Sequence, residues 1–331
     1  MSLLELQDVE VTYQRRGRAP VRAVAGASLT IGPGEIVGLV GESGCGKSTL
    51  ARAAAGLLAP SSGRVLLHGQ PIAALSRRAR PAREVKLQMV FQDPYSSLNP
   101  RRRIGSQLAD ALRINKLMAP ELQRARVIEL LEQVGLPTDA IDSYPHQFSG
   151  GQRQRLAISR ALAAQPEVLV LDEPLSALDA SAQAQVANLL VNLCRELGIA
   201  MLLISHDLAI VRQIADRISV MYLGVVVESG PTEQLWTDPK HPYTEALIGA
   251  IPHADGLGVK PRALRGEVPD PAEPPAGCRF HPRCERAFGK CSAAVPDLIS
   301  LDRDHAAACW LHDPEQAPQP SPLKDAAGDS H

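Results

Sequence analysis

The chain has 331 residues, 45% of them hydrophobic, with 35 basic and 36 acidic side chains. That is enough for one large domain plus a smaller one with a sizeable core, and the balanced charge gives no reason to expect nucleic-acid binding across the surface. Aromatic residues are only 3%, too sparse for a base-stacking platform, and no apolar run reaches the length of a membrane span.

In chain order, Leu3 to Val11 and Ser28 to Ile31 read as strands of an antiparallel edge, with Tyr13 just after the first. The acidic, alternating N-terminal stretch reads as a strand rather than a signal or transit peptide. The expectation is a cytosolic protein whose membrane contact goes through a partner. Ile36 to Val40 is a short apolar run of buried-strand type, followed by Gly41-Glu42-Ser43-Gly44-Cys45-Gly46-Lys47-Ser48 and Thr49. This fits G-x-x-x-x-G-K-[ST] at every position. Glycines let backbone N–H groups turn toward phosphate oxygens, and the helix starting near Lys47 adds its positive end. Lys47 can reach the β- and γ-phosphates, and the Ser48 hydroxyl can ligate Mg²⁺. The motif alone says nucleoside triphosphate and not which reaction is driven.

A helix over Leu50 to Leu57 leads through Pro60-Ser61-Ser62-Gly63 to a strand at Val65 to Leu67. Leu75 to Arg83 reads as a polar loop or short helix, and Val85 to Phe91 as a strand ending at Gln92. The basic stretches Arg77 to Arg83 and Arg101-Arg102-Arg103 read as solvated faces. From Asp93 the pattern becomes a loop (Pro94 to Pro100), then helices over Ile104 to Ile114 and Pro120 to Val134. Another helix begins at Gln152, with Ser149 placed to cap it after Phe148 and beside Gly150 and Gly151. Val168 to Leu171 is an apolar strand ending in Asp172-Glu173-Pro174. A helix over Ser181 to Leu197 and a strand over Ala200 to Ile204 follow, ending in Ser205-His206-Asp207. After a helix over Leu208 to Ala215, Ile218 to Tyr222 and Val225 to Glu228 read as a hairpin. Strands alternating with helices predict a parallel sheet, whose ligands bind beyond the carboxyl ends of its strands. Lys47, Asp172 and His206 all follow strand ends and can converge there.

Asp172 can hold Mg²⁺ through water, and Glu173 beside it can polarise an attacking water. His206 can bond a γ-phosphate. Ser149, Gly150, Gly151 and Gln152 form a second anion site at a helix start, which suggests that two chains share their nucleotides.

Six cysteines in a cytosolic chain are not expected to pair as disulfides. Cys45 lies in the phosphate loop and Cys194 in a helix as a small core residue. Cys278, Cys284, Cys291 and Cys309 follow a Pro/Gly-rich stretch over 254–277 and have the spacing C-x5-C-x6-C-x17-C. Four thiols with little core around them suggest a metal staple, Zn²⁺ or an iron–sulfur cluster, against reduced unliganded thiols. His281 and His305 are read as bystanders, and the tail after Trp310 as disordered.

The ordered set of motifs resembles the ATP-binding-cassette (ABC) ATPases. It comprises the phosphate loop, Gln92 as the Q-loop, Phe148-Ser149-Gly150-Gly151-Gln152 as the signature, Asp172 and Glu173, Ser176-Ala177-Leu178-Asp179 as the D-loop, and His206 as the switch histidine. The signature departs from the usual Leu-Ser-Gly-Gly-Gln only in its first, still apolar, residue. The resemblance implies an α/β P-loop cassette over 1–253, with an antiparallel β edge and a helical subdomain over about 93–165. Beyond it come a small cysteine-bearing extension over 254–310 and a tail over 311–331. It implies Tyr13 stacked on adenine, Glu173 as catalytic base, Ser48 and Gln92 at Mg²⁺, and ATP held between one subunit's phosphate loop and another's signature.

Phe91 to Arg101 and His241-Pro242-Tyr243-Thr244-Glu245-Ala246-Leu247 resemble the ATPases of bacterial oligopeptide and dipeptide importers, closest to their F-type subunit. That implies two transmembrane permease subunits, a second, different ABC ATPase and, indirectly, an extracytoplasmic substrate-binding protein. It implies peripheral attachment at the cytoplasmic face of the inner membrane and no nucleic-acid partner. The cysteine region is similar to that of these ATPases, where a [4Fe–4S] cluster is expected, with Zn²⁺ the alternative. A nickel importer of the same branch, a soluble non-transport ABC ATPase and an exporter ATPase are the competing readings.

Overall fold

The computed structural model describes residues 2–14, 16–17, 19–76, 80–114, 117–251 and 264–313. The linker expectation for 254–263, the basic positions 77–79 and the expected disordered tail beyond 313 lie outside the described residues.

The chain opens with β1 (Leu4–Tyr13) and β2 (Val21–Ile31), then β3 (Ile36–Val40), α1 (Lys47–Ala54), β4 (Ser62–Leu67) and β5 (Gln70–Pro71). The expected antiparallel edge forms as a four-stranded sheet of its own, β2-β1-β4-β5, separate from the main one. Next come α2 (Ala82–Val85), β6 (Leu87–Val90) and the single turn α3 (Pro94–Ser97), where sequence reading expects a strand over 85–91 and then only loop. The Asp93 side chain accepts the N–H of Tyr95, and Pro94 is preset for a first helical turn, which explains α3. Helices α4 (Ile104–Ile114), α5 (Pro120–Gln133) and α6 (Gly150–Leu162) separate β6 from β7 (Val168–Asp172). Then follow α7 (Ala180–Leu197), β8 (Ala200–Ser205), α8 (Leu208–Ile214), β9 (Arg217–Tyr222) and β10 (Val225–Pro231). Past the cassette strands lie α9 (Thr232–Thr237), α10 (Pro242–Gly249), α11 (Gly289–Ala293), β11 (Ile299–Asp302) and β12 (His305–Ala307).

The main sheet has eight strands in the order β11-β12-β10-β9-β3-β8-β7-β6. β6, β7, β8, β3 and β9 run parallel, and β10, β12 and β11 add antiparallel strands. All five residues of β3 are buried, because both sheet faces are covered. Val37 and Leu39 join a core with α1 and the small antiparallel sheet, whereas Ile36 and Val40 join the core under α4 to α8. The two-residue period of the strand thus ties both cores to one segment. A Cβ at Gly38 would meet Val211 Cγ1 at 2.2 Å, so glycine there lets α8 lie close on the strand that carries the phosphate loop.

Among the described residues the C-terminal extension has no separate core; it packs onto the cassette, where Phe280 joins the core under α4 to α8. β12 pairs with β10, and the fully buried Glu228 of β10 receives three donors. These are the N–H groups of Lys240 (2.7 Å) and His241 (2.8 Å) and the ring Nε2 of His305 (2.7 Å). His305 is therefore no bystander to the fold, because it pins β12 across a buried carboxylate. Burial also pushes the His241 imidazole down to about 3. It stays neutral, and its Nδ1 accepts the Tyr243 N–H at the start of α10. Glu228→Ala leaves three buried donors without an acceptor and is expected to lower the unfolding free energy by about 3–5 kcal/mol, read from urea denaturation of the full chain.

Candidate active site

The phosphate loop leaves β3 and enters α1. A Cβ on Gly41 would sit 2.1 Å from the carbonyl oxygen of Met221, and one on Gly46 the same distance from that of Ala23. Both glycines have positive φ, 151° and 107°. The loop is therefore pressed against β2 and the end of β9, and only glycine fits at those two points. Cys45 is buried within it, and burial pushes its thiol up. Gly224 donates its N–H to Cys45 O at 2.8 Å, so the β9–β10 turn holds the loop from below. Lys47 Nζ donates to the carbonyls of Gly41 (2.7 Å) and Glu42 (2.9 Å). The Ser48 hydroxyl donates to Asp172 Oδ1 at 2.8 Å, joining the first helix to the end of β7. Burial raises the Asp172 carboxyl, and the Ser48 bond opposes that rise.

Glu173 stands one residue past β7 at a φ of +48°, an unfavourable backbone region for a side chain of its kind. Its N–H is held by Ile204 O at 3.0 Å, which fixes the bend. Two side chains reach one of its oxygens. Gln92 Nε2 donates to Glu173 Oε2 at 3.1 Å, and His206 Nδ1 lies 3.2 Å from the same atom. Gln92 also reaches Ser176 Oγ at 3.4 Å. The Asp207 carboxylate caps α8 by accepting from Ala209 and Ile210, which orients the turn that carries His206. Tyr13 is exposed, and its hydroxyl lies 3.4 Å from Thr49 Oγ1 in the first turn of α1.

The Ser149–Gln152 stretch lies apart from this cluster. Ser149 caps α6 in a reciprocal box, its Oγ accepting from Gln152 N (3.3 Å) while its N–H donates to Gln152 Oε1 (2.9 Å). Ser149 and Gly150 are exposed. A Cβ on Gly151 would meet Ala182 Cβ at 3.0 Å, so the small residue lets α6 approach α7. Asp179 caps α7 by accepting from Ala182 N at 2.9 Å. Among the described residues, no hydrogen bond joins Ser149–Gln152 to the 41–49 loop. Tyr95 ties the segment after Gln92 to α6: the Arg153 guanidinium stacks 3.9 Å over its ring and donates to its hydroxyl.

Sequence reasoning missed three groups at this site. The Tyr243 hydroxyl accepts the N–H of Glu42 at 2.9 Å, and Arg283 grips the Glu42 carboxylate through both terminal nitrogens. Glu42 reads in the motif as a free position. Tyr243 was available in the sequence only as part of a family-like motif, and nothing local connects residue 283 to residue 42.

Residues 24–176 match the family model described as ABC transporter, and residues 227–291 the one described as oligopeptide/dipeptide transporter, C-terminal region. A probable peptide ABC transporter ATP-binding protein of Sinorhizobium fredii is 46% identical over 322 residues, 97% of this chain and 91% of the relative. A di/tripeptide transport ATP-binding protein of Pseudomonas aeruginosa is 48% identical over 293 residues, 88% of this chain and 91% of its own length. The chain belongs to the ATP-binding subunits of oligopeptide/dipeptide-type ABC transporters. The fold of this ATPase agrees with solved cassettes. A dimeric ATP-binding cassette in a post-hydrolysis state, bound to ADP and Pi, aligns with a TM-score of 0.61 at 29% identity, covering 69% of this chain and 98% of that one. The cbiO1 subunit from Clostridium perfringens, part of an ABC transporter complex, aligns at 0.62 and 32% identity, covering 72% and 91%. No helix among the described residues is long and apolar enough to cross a membrane.

Cys278, Cys284, Cys291 and Cys309 line one small cavity of the ATPase, together with His241 and Trp310. All four are free thiols. Burial pushes Cys278, Cys284 and Cys309 up, Cys309 to about 11, and neighbouring thiols of the set add to each rise. Among the described residues, however, no group of three or more His, Cys, Asp or Glu side chains stands close enough together to hold a metal ion. The metal centre expected from the spacing is thus not assembled as such. What the fold supplies is a shared cavity for the four sulfurs.

Proposed function

We propose that this ATPase powers import of di- and oligopeptides through a separate permease. The observation that carries the reading is the likeness to peptide-transport ATP-binding proteins along nine-tenths or more of the chain, including the C-terminal region. The E. coli relative, a dipeptide transport ATP-binding protein, is 44% identical over 300 residues, 90% of each chain.

In this reading the 41–49 loop, including Ser43, Gly44 and Thr49, cradles the triphosphate with its N–H groups, and Lys47 turns from the loop carbonyls to the phosphates. Tyr13 flanks the base. Ser48, Asp172 and Gln92 are the residues placed to hold Mg²⁺, which when bound neutralises phosphate charge. Glu173 takes the proton of the attacking water, and Gln92 and His206, both on Glu173 Oε2, orient that carboxylate. The start of α6, where Ser149 and Gly150 are exposed, serves the nucleotide of a second subunit. Asp179 lies between the two sites at the start of α7. The second subunit is a different but homologous ATPase.

The permease contact is the groove of about 1140 Å³ between the sheet edge and the helices, lined by Phe91, Leu98, Asn99, Arg101, Ile114 and Arg160 among others. Phe91, Tyr95 and Ile114 expose apolar surface around it, as a docking site for a permease helix requires. Because Gln92 and Tyr95 lie on one short segment, docking there is coupled to Glu173 on one side and to α6 on the other. The ATPase then sits peripherally at the cytoplasmic face of the membrane, with the substrate chosen by the permease and an extracytoplasmic binding protein.

From their spacing and shared cavity we infer that the four cysteines ligate a [4Fe–4S] cluster, with Zn²⁺ as the alternative metal, which requires the thiols to close in from the separation seen here. A bound cluster supplies a cross-link, and its ligation requires these thiols as thiolates, against the burial that raises Cys309.

Glu173→Gln is expected to cut ATP turnover by about 10²–10⁴-fold while ATP still binds and a closed dimer accumulates on gel filtration; normal turnover removes Glu173 as the base. Cys284→Ser is expected to abolish bound iron or zinc, measured by elemental analysis, and an unchanged metal content rules out the four-thiol site. The function itself is tested by uptake of labelled di- and oligopeptides, beside Ni²⁺, in cells lacking this chain. Loss of peptide uptake alone is expected; loss of Ni²⁺ uptake alone moves the chain to a metal importer with the same mechanism.

A further inference from the structure

Glu42 is the first variable position of the phosphate loop and is held on every side. Its N–H goes to Tyr243 Oη (2.9 Å), its carbonyl accepts from Lys47 Nζ (2.9 Å), and its carboxylate takes Arg283 Nη1 (2.6 Å) and Nη2 (3.0 Å). The Arg283 side chain is only 4% exposed, and its Nε is fixed by Arg265 O at 2.9 Å. Tyr243 is fully buried in a three-ring cluster with Tyr222 (4.7 Å) and Phe280 (5.2 Å). Both anchors come from beyond the cassette strands. Tyr243 lies on α10, and Arg283 lies next to Cys284 in the cysteine segment.

Two physical consequences follow. A loop with glycines at 41, 44 and 46 has much backbone freedom to lose before its N–H groups can face a ligand, and outside anchors lower that cost. A carboxylate at position 42 also opposes the negative charge of any triphosphate in the loop, and a bidentate, shielded guanidinium cancels it.

We propose that Tyr243 and Arg283 are positioning residues that hold and neutralise Glu42, so that nucleotide affinity of the cassette depends on the C-terminal extension of the same chain. The proposal rests on the nucleotide-site reading above. It gives the His241-Pro242-Tyr243 motif a task within the ATPase itself, apart from any substrate.

The test is equilibrium binding of a fluorescent ATP analogue to the full-length chain, with hydrogen exchange of the 41–47 amides and steady-state ATPase kinetics. Tyr243→Phe removes one oxygen from a buried ring, and Arg283→Lys keeps the charge but loses the fork. Each is expected to weaken binding by about tenfold, to speed exchange in 41–47, and to raise KM while kcat stays within about twofold. Arg283→Ala is expected to cost less in a Glu42→Gln background than alone, since no carboxylate is then left unpaired. Should the Arg283 variants fail to fold, Tyr243→Phe carries the same test. Lys47→Ala is the control: if it binds the analogue as the parent does, the nucleotide-site reading itself fails. If Lys47→Ala loses binding while Tyr243→Phe and Arg283→Lys leave affinity and exchange unchanged, or if the Arg283 and Glu42 effects simply add, the proposal is overturned.

Discussion

The close approach of the phosphate loop to the carbonyls of Met221 and Ala23 is the contact on which the site depends. A Cβ on Gly41 or Gly46 would lie 2.1 Å from a backbone oxygen, so neither position can carry a side chain without moving β9 or β2. The loop is thus shaped by strands on both sides of it, one from each sheet, and not by its own residues alone. Of the five buried residues of β3 that precede it, Val37 and Leu39 belong to one core and Ile36 and Val40 to the other. Burying such aliphatic side chains is worth roughly 1.5–3 kcal/mol each. The strand end from which the loop springs is consequently among the best anchored points in the chain.

A second set of constraints gathers on Glu173. The residue is bent out of the strand direction at positive φ, its N–H is tied to β8, and one carboxylate oxygen is shared between Gln92 and His206. Three strand ends, those of β6, β7 and β8, therefore meet at one atom. A movement of the segment after Gln92 cannot leave Glu173 untouched, and that same segment is stacked on α6 through Tyr95 and Arg153. This gives a physical path from the exposed groove to the carboxylate.

The extension ties onto the cassette at several points. Buried Glu228 gathers α10 and β12, the aromatic cluster of Tyr222, Tyr243 and Phe280 fills the space beneath the loop, and Arg283 reaches Glu42. A buried carboxylate with three donors and a shielded bidentate ion pair lose much if one partner is removed, so the extension and the cassette hold each other in register.

By itself the sequence determined the strand 36–40 and its phosphate loop, the helix after it with an end three residues too late, the helices 104–114 and 180–197 to within a residue, and the identity of the residues that gather at the strand ends, because local periodicity and short motifs encode them. It did not disclose α3, whose cap depends on one Asp–Pro pair, nor the separation of the small antiparallel sheet, because pairing between distant strands leaves no local pattern. The spacing of the four cysteines suggested a common site, and the tertiary structure decided only that they line one cavity. Most of all, tertiary structure decided the partners of Glu42, Glu228 and His305. Each makes its side-chain hydrogen bonds to residues at least 12 positions away, and for Glu42 241 positions away. Such pairs are set by which buried donors and acceptors the finished fold leaves facing each other, and no reading of neighbouring residues contains that information.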